Sequence, residues 1–453
     1  MMKTKQQRFD HLFEELQNQA QINGVFLAAE RGEIIYEKAI GTAELATGRP
    51  LTIDSIFDLA SLSKPFTATA IILLQERGQL SYDDLVEKWL PELPYKGITI
   101  RHLLQHTSGL PDYMDLFFMY WDRSKIAANE DMLQLLIQHR PDSCFAPGEN
   151  WQYSNTGYVL LAMIAAKVSG MSFPAFMKEH IFKPLEMDSS LIYNRRYRPE
   201  PINDYAYGYI HNPFTDRYEL PDHVADTSFV VYMDGIQGDG VMNSTVRDLL
   251  KFDQALYTGQ LISRAAAEEA FTPAEPGEGK PFDYGLGWII EQIEGKGKVV
   301  SHTGGWPGYA TVMNRYIDYN KTLIFLRNME KDVEFDLAMI KAAENILFDE
   351  PYEVPVCPPP RAVIEADPSL YDSFAGLYRL TAQEEVTAAI EIENDHLYLQ
   401  TTGSIRVELY PASKTLFFIR SAPVEVEFVN EENGAVNKLF IIQGGEKEEA
   451  VRI

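Results

Sequence analysis

The stretch Phe57-Asp58-Leu59-Ala60-Ser61-Leu62-Ser63-Lys64-Pro65-Phe66 sets a serine and a lysine three residues apart at the start of a helix. Pro65 has no backbone N–H, so it is tolerated only among the first helical positions, whose N–H groups lack partners anyway. That places the helix start at about Ser61 or Leu62, and Gly78 marks its stop. Residues three apart share a helix face, which puts the Lys64 amine beside the Ser61 oxygen. A hydroxyl is a poor nucleophile until a neighbour takes its proton, and an adjacent amine can do so. The unpartnered N–H groups of a helix start can also receive a developing oxyanion. On its own, the same pattern equally describes a serine N-cap followed by a solvated lysine.

Two later segments carry polar groups of the same kind. Pro147-Gly148-Glu149-Asn150-Trp151-Gln152-Tyr153-Ser154-Asn155-Thr156-Gly157-Tyr158 leads from a turn through Tyr-x-Asn into a helix over Tyr158–Val168. A phenol in a cleft can pass a proton, and an asparagine amide can orient a carbonyl. A buried tyrosine beside a capping asparagine would read the same. Val299-Val300-Ser301-His302-Thr303-Gly304-Gly305-Trp306 is a strand ending in small residues, where a ligand can approach the backbone and extend the sheet. An ordinary strand-to-turn transition has the same composition.

SxxK, YxN and [KH]TG occur in this order at 61, 153 and 302, and together they resemble the signature of the serine β-lactamase and penicillin-binding-protein family. The Tyr-x-Asn form is similar to the class C β-lactamase branch, with its D,D-peptidases, D-aminopeptidases and esterases. The surroundings agree. Ile100-Arg101-His102-Leu103-Leu104-Gln105-His106-Thr107-Ser108-Gly109-Leu110-Pro111 looks like the family's hLLxHTSGLP segment. Gly238-Asp239-Gly240 before Ser244–Leu249 resembles its Gly-rich turn into a helix, and Tyr284-Gly285-Leu286-Gly287-Trp288 its strand before the third motif. The resemblance runs in order through residues 20–348 and continues into the tail, as in low-molecular-weight penicillin-binding proteins. It implies that Ser61 accepts the acyl group, Lys64 activates it and Tyr153 shuttles protons. It further implies that Asn155, His302, Thr303 and Gly304 contact substrate, with the backbone N–H groups of Ser61 and Gly305 forming the oxyanion hole. No cofactor and no metal are implied.

His302 stands where lysine is usual in this family. A histidine is mostly neutral at pH 7, so recognition of a substrate carboxylate is expected to weaken or to become pH-dependent, with the ring charged below about pH 6.5. Ester substrates then fit better. Arg315 is a nearby alternative source of positive charge.

Competing signals fail. The chain has no GxSxG elbow, and His102 with His106 lack the adjacent glutamate of HExxH. Gly235-x-x-Gly238-x-Gly240 has no Lys-Ser/Thr and no preceding βα context, so it is not a phosphate loop. With 66 acidic residues against 40 basic, the net charge of −26 repels phosphate backbones and excludes nucleic acid as an expected partner. Cys144 and Cys357 form no CxxC, so no disulfide framework or zinc ribbon is expected. The apolar run Tyr158–Ala166 is far short of the roughly 20 residues that span a bilayer. The N-terminal MMKTKQQRFDHLFEELQ has neither an apolar core nor a cleavage site, which reads as cytoplasmic; a peptidoglycan substrate would instead place the chain at the membrane periphery or cell envelope.

A chain of 453 residues suggests two or three domains. Residues 1–350 read as an α+β serine-hydrolase domain: an antiparallel sheet supplied by the two ends, with a helical lobe over roughly 59–283. Pro351, Pro355, Pro358, Pro359 and Pro360 mark a linker over 351–361. Residues 362–453 alternate with period two, and turns at Asn394-Asp395 and Asn433-Gly434 predict a small antiparallel barrel or sandwich. The expected activity is acyl-enzyme formation with D-alanyl peptides or β-lactams, as in a D,D-carboxypeptidase or endopeptidase of peptidoglycan. A carboxylesterase or weak β-lactamase on the same fold is the first alternative. A non-catalytic receptor binding through the tail is the second. Small peptide, β-lactam or ester substrates are the implied partners, and the oligomeric state is left open.

Overall fold

A computed structural model describes residues 3–19, 22–275, 282–330, 332–358, 361, 363–364, 367–382, 386–393, 395–402, 406–420, 424–430 and 436–453. The chain divides into two compact units. The first holds residues up to 113, 122–211 and 218–358; the second holds 114–121, 212–217 and 359–453.

In the first unit, helix α1 (Lys5–Asn18) begins at a reciprocal cap. The Thr4 hydroxyl accepts from Gln7 N at 3.2 Å, and the Gln7 side chain accepts from Thr4 N at 3.0 Å. Its Phe9, Leu12, Phe13 and Leu16 recur at helical spacing and are all buried. Strands β1 (Gly24–Glu30) and β2 (Glu33–Ile40) follow. The middle of the unit contains helices α2 (Lys64–Glu76), α3 (Ile100–Leu104), α4 (Asn155–Ser169) and α5 (Val246–Thr258). Strands β3 (Ile289–Ile293), β4 (Gly297–Trp306), β5 (Tyr309–Tyr316) and β6 (Lys321–Arg327) then lead to helix α6 (Val333–Leu347). The sheet order is β3-β4-β5-β6-β1-β2, antiparallel throughout, so the two ends of the unit meet where β6 pairs with β1. One face carries Phe26, Ala28, Leu323 and Phe325 into an apolar cluster with α1 and α6. This is the α+β arrangement expected from the sequence.

Two expectations are adjusted. Tyr284–Trp288 resembles the family's strand before the third motif, but here the strand begins only at Ile289. Gly287 adopts φ +83°, and its missing side chain lets that turn lie against Ala68 at the start of α2. The proline-rich segment contains no helix or strand through Pro358, yet it is not free. The Tyr352 hydroxyl donates to Arg8 O at 3.0 Å, Tyr352 and Val354 pack on the α1–α6 cluster, and Cys357 is buried in it. Pro359 and Pro360 lie outside the described residues.

Among its described residues the second unit contains eight strands, β7 (Gly376–Leu380), β8 (Thr387–Glu393), β9 (His396–Thr401), β10 (Val407–Pro411), β11 (Leu416–Phe418), β12 (Val424–Asn430), β13 (Val436–Gln443) and β14 (Glu446–Arg452). Each pairs antiparallel with the next, and β14 returns to β7, closing a barrel. Alternate residues fill its inside, including Tyr378, Ile390, Leu397, Phe417, Val426, Phe428 and Leu439. Eight strands enclose just enough room for such a filling. Asn394 and the turn expected at Asn433-Gly434 lie outside the described residues. Among the described residues no single helix is long and apolar enough to cross a membrane.

Candidate active site

The short strand Phe57–Asp58 pairs with Met242–Ser244 and delivers the chain into a 3₁₀ turn, Ala60–Ser63, that runs into α2 with Pro65 in the first helical turn. Ala60 holds φ +49°, a left-handed conformation that is strained for a residue with a Cβ. Asp58 stabilises it by accepting the Ala60 N–H on Oδ1 at 2.8 Å. In a 3₁₀ turn residues three apart eclipse one another. Lys64 Nζ accordingly lies 3.0 Å from Ser61 Oγ.

Lys64 is completely buried, and Nζ also lies 3.0 Å from both Asn155 Oδ1 and Asp239 O. Three acceptors match the three N–H groups of an ammonium. In the neutral amine, donation to Asn155 and Asp239 leaves the lone pair facing the Ser61 hydroxyl, the arrangement that can draw off its proton. Asn155 opens α4 behind a Ser154 cap, whose hydroxyl accepts from Gly157 N at 3.2 Å. Asn155 Nδ2 donates to Asp112 Oδ2 at 3.1 Å. The Tyr153 ring centre stands 4.8 Å from Lys64 Nζ. The structure therefore brings Ser61, Lys64, Tyr153 and Asn155 together.

Asp239 is a site residue that the sequence reading did not single out by role; the Gly238-Asp239-Gly240 turn was its only signal. Thr67 donates to Gly238 O at 2.6 Å, and Ser63 accepts from Met242 N at 3.1 Å, which fasten this loop to α2. The Asp239 carboxylate accepts from the Tyr113 hydroxyl at 3.0 Å. Burial pushes this carboxyl above its ordinary range, with Lys64 opposing.

Strand β4 forms the other wall. Its pairing with β3 ends at Ile289 opposite Ser301, so Thr303–Trp306 pair with β5 alone among the described strands. Thr303 is exposed. Gly304, expected at the substrate, packs instead on the nucleophile turn, where a Cβ would collide with Leu59 O and Thr311 Oγ1. Thr311 Oγ1 itself donates to Leu59 O at 2.7 Å. A Cβ at Gly305 would meet nothing within 4 Å.

His302 requires a correction. Its ring is 1% exposed, and Nδ1 lies 2.6 Å from Thr303 O, which can only accept. Nδ1 therefore carries the proton, and Nε2, 3.0 Å from the Tyr284 hydroxyl, is the acceptor. Burial, reinforced by the Lys64 charge, lowers the imidazole pKa to about 3. Both ring nitrogens are occupied inside the protein, and the ring is neutral across the physiological range rather than a pH-gated clamp for a carboxylate. Arg315 does not replace it: fully buried, its Nε donates to Asp253 Oδ1 at 2.6 Å. His102 and His106 are likewise engaged separately, His102 Nδ1 accepting from Thr99 N and His106 Nδ1 from Ser154 N.

A family model described as Beta-lactamase matches residues 9–347. Penicillin-binding protein 4* of Bacillus subtilis (strain 168) is 50% identical over 453 residues, all of both chains. Esterase EstB of Burkholderia gladioli is 33% identical over 195 residues, 40% of this chain and 50% of its own. The crystal structure of a penicillin-binding protein from Bacillus halodurans superposes with a TM-score of 0.63 at 28% identity, covering 75% of this chain and 99% of that one.

Proposed function

This chain belongs to the β-lactamase family, and from that premise we propose that it is a penicillin-binding serine hydrolase that forms an acyl-enzyme on Ser61 with D-alanyl peptides or β-lactams. Its cellular role is then D,D-carboxypeptidase or endopeptidase action on peptidoglycan, at the cell envelope. The observation that carries the proposal is Lys64 Nζ, 3.0 Å from Ser61 Oγ with its other donations directed at Asn155 Oδ1 and Asp239 O.

In acylation, Ser61 Oγ bonds to the substrate carbonyl carbon as its proton passes to the Lys64 amine. The oxyanion is held by the N–H groups of Ser61 and Gly305. The carbon–nitrogen bond breaks, and the departing nitrogen receives a proton from the Tyr153 phenol, which Lys64 reprotonates. Water then attacks the ester, its proton returning through the same groups to Ser61 Oγ. Asn155 orients the substrate, and a peptide lies along Thr303–Trp306 as an added strand.

A carboxylesterase using the same groups is the second reading, favoured by the buried, neutral His302, which places no fixed positive charge in the third motif. A mass spectrum after incubation with benzylpenicillin tests the acyl-enzyme. One adduct of the full inhibitor mass is expected on the Ala60–Lys64 peptide and none in Ser61→Ala; an adduct that survives that substitution would overturn the assignment. Slow loss of the adduct supports the peptidase, whereas fast turnover of short-chain aryl esters supports the esterase.

A further inference from the structure

His106 lies outside the three motifs, yet it grips Tyr153 from both sides in sequence. His106 O accepts from Gln152 N at 3.0 Å, and His106 Nδ1 accepts from Ser154 N at 3.0 Å. These are the two residues that flank Tyr153. The imidazole also packs on the Tyr153 ring, with centres 4.4 Å apart and planes tilted by 37°. Tyr284 at 4.6 Å, Tyr158 at 5.0 Å and Trp151 at 6.0 Å close in around the same imidazole.

The rest of the 104–113 segment latches onto the chain around Tyr153 in the same manner. Thr107 O accepts from Gly148 N at 2.8 Å and Gly109 O from Cys144 N at 2.9 Å. The Tyr158 hydroxyl donates to Leu104 O at 2.8 Å, and Thr156 Oγ1 to Pro111 O at 2.7 Å. Among the described residues, His106 alone joins side chain and backbone in holding both neighbours of Tyr153. To present both groups on one side, His106 adopts φ +59°, a conformation held only where the surroundings over-determine it.

The ring's protonation is fixed by the same contacts. Nδ1 accepts, so the proton sits on Nε2, which is buried without a hydrogen-bond partner among the described residues. Burial, then the charge of Lys64, lowers the ring's proton affinity. The imidazole stays neutral, and Nδ1 remains an acceptor.

We propose that His106 is a positioning residue for Tyr153, fixing the backbone on both sides of it and the plane of its ring so that the phenol keeps its place beside Lys64. The proposal rests on the reading of Tyr153 as the proton carrier. A displacement of about 1 Å at a reacting group can cost on the order of 100-fold in rate.

The test is a double-mutant cycle in the full chain, reading single-turnover acylation by benzylpenicillin, kcat and KM for an aryl ester, and thermal midpoint. His106→Ala removes the side-chain acceptor and the ring and should slow acylation about 100-fold, with the loss in kcat rather than KM. His106→Asn keeps an acceptor near the place of Nδ1 and tolerates positive φ; it should recover at least tenfold of that loss. His106→Phe keeps a ring without the acceptor and should remain slow. In a Tyr153→Phe background, His106→Ala should cost less than about threefold further, because the group it positions has gone. An equal loss in both backgrounds, or His106→Phe outperforming His106→Asn, would overturn the proposal. If His106→Ala does not fold, the Asn and Phe variants decide by their order. A fully active Tyr153→Phe would remove the role of Tyr153 and this proposal with it, whereas a slowed but measurable Tyr153→Phe with additive His106 effects would remove the proposal alone.

Discussion

Lys64 and Phe428 are both sealed from solvent, but their surroundings differ in kind. Around Lys64 the interior is polar: Ser61 Oγ, Asn155 Oδ1 and Asp239 O at 3.0 Å, with neutral His302 and His106 nearby and left-handed Ala60 and His106 in the backbone. Around Phe428 it is apolar: Phe374 stacks on it with centres 4.3 Å apart, and Phe417 meets it edge-on at 5.5 Å. Charged pairs of the barrel, such as Lys447–Glu427 and Arg406–Glu393, lie on partly exposed side chains. Buried polar groups are costly unless satisfied, whereas buried rings stabilise roughly in proportion to area. The first interior is therefore organised for chemistry at some expense of stability, and the second, around Phe428, for stability.

That contrast predicts opposite consequences for substitutions of similar size. Lys64→Met should abolish acylation, by 1,000-fold or more, while the protein stays folded, its stability lowered by no more than the roughly 1–3 kcal/mol that leaving Asn155 Oδ1 and Asp239 O without their donor costs. Phe428→Ala should cost about 3–5 kcal/mol in the barrel. We propose that residues 362–453 fold as a separable unit, so this loss should appear as a lowered barrel transition, with acylation of Ser61 unchanged within about twofold. Benzylpenicillin labelling and differential scanning calorimetry read both variants. A Lys64→Met protein that unfolds, or a Phe428→Ala protein that no longer acylates, would break the contrast.

Within the cleft itself, two adjacent glycines sharpen it. Gly304→Ala would drive a methyl into Leu59 O and Thr311 Oγ1 and should cost about 1–3 kcal/mol, as overpacking does, while displacing the nucleophile turn and slowing acylation. A methyl at Gly305 enters open space, so Gly305→Ala should leave the stability within about 0.5 kcal/mol of wild type. Equal thermal shifts in the two would mean that β4 is not pressed on the nucleophile turn.

The barrel was legible because strands such as Val424-Glu425-Val426-Glu427-Phe428 alternate, and that alternation assigns their inside face. The serine–lysine pair was legible because Pro65 fixed the helix start and three-residue spacing did the rest. The third acceptor of Lys64 was not, since Asp239 serves through its backbone carbonyl, and any residue type could have supplied that atom. His302 was read by residue type as a titrating cation; its actual state depends on Tyr284 and Lys64, brought in from distant parts of the chain. The alternation of β4 identifies faces but does not say that the face of His302 is sealed. The prolines marked an irregular segment correctly, while its docking through Tyr352 on Arg8 depends on α1, more than 300 residues earlier.

The smallest expected effect concerns pH. The ring of His302 has its pKa lowered to about 3 by burial and by Lys64, against about 6.5 when unfolded. Between those values the unfolded chain binds a proton that the folded one does not. The stability owed to the neutral ring is thus complete above about pH 6.5 and is lost progressively as pH falls toward 3. Asp58 works in the opposite sense: burial, opposed by the Ala60 N–H and added to by Asp234, raises its pKa to about 7, so its contribution declines as pH rises from about 4 to 7. His302→Gln, which keeps a polar partner for the Tyr284 hydroxyl but cannot titrate, leaves the Asp58 effect in both proteins, and it cancels in the difference. Wild type should therefore lose more thermal stability than His302→Gln between pH 6.5 and 4.5, and the two should run parallel from pH 7 to 8.5. Over pH 5.5–8.5 the ratio of acylation by benzylpenicillin to acylation by a neutral aryl ester should be flat in wild type, because no charge on His302 is being lost. A ratio that falls through pH 6.5 in wild type and flattens in His302→Gln would return the imidazolium to the cleft as the reader of the substrate carboxylate.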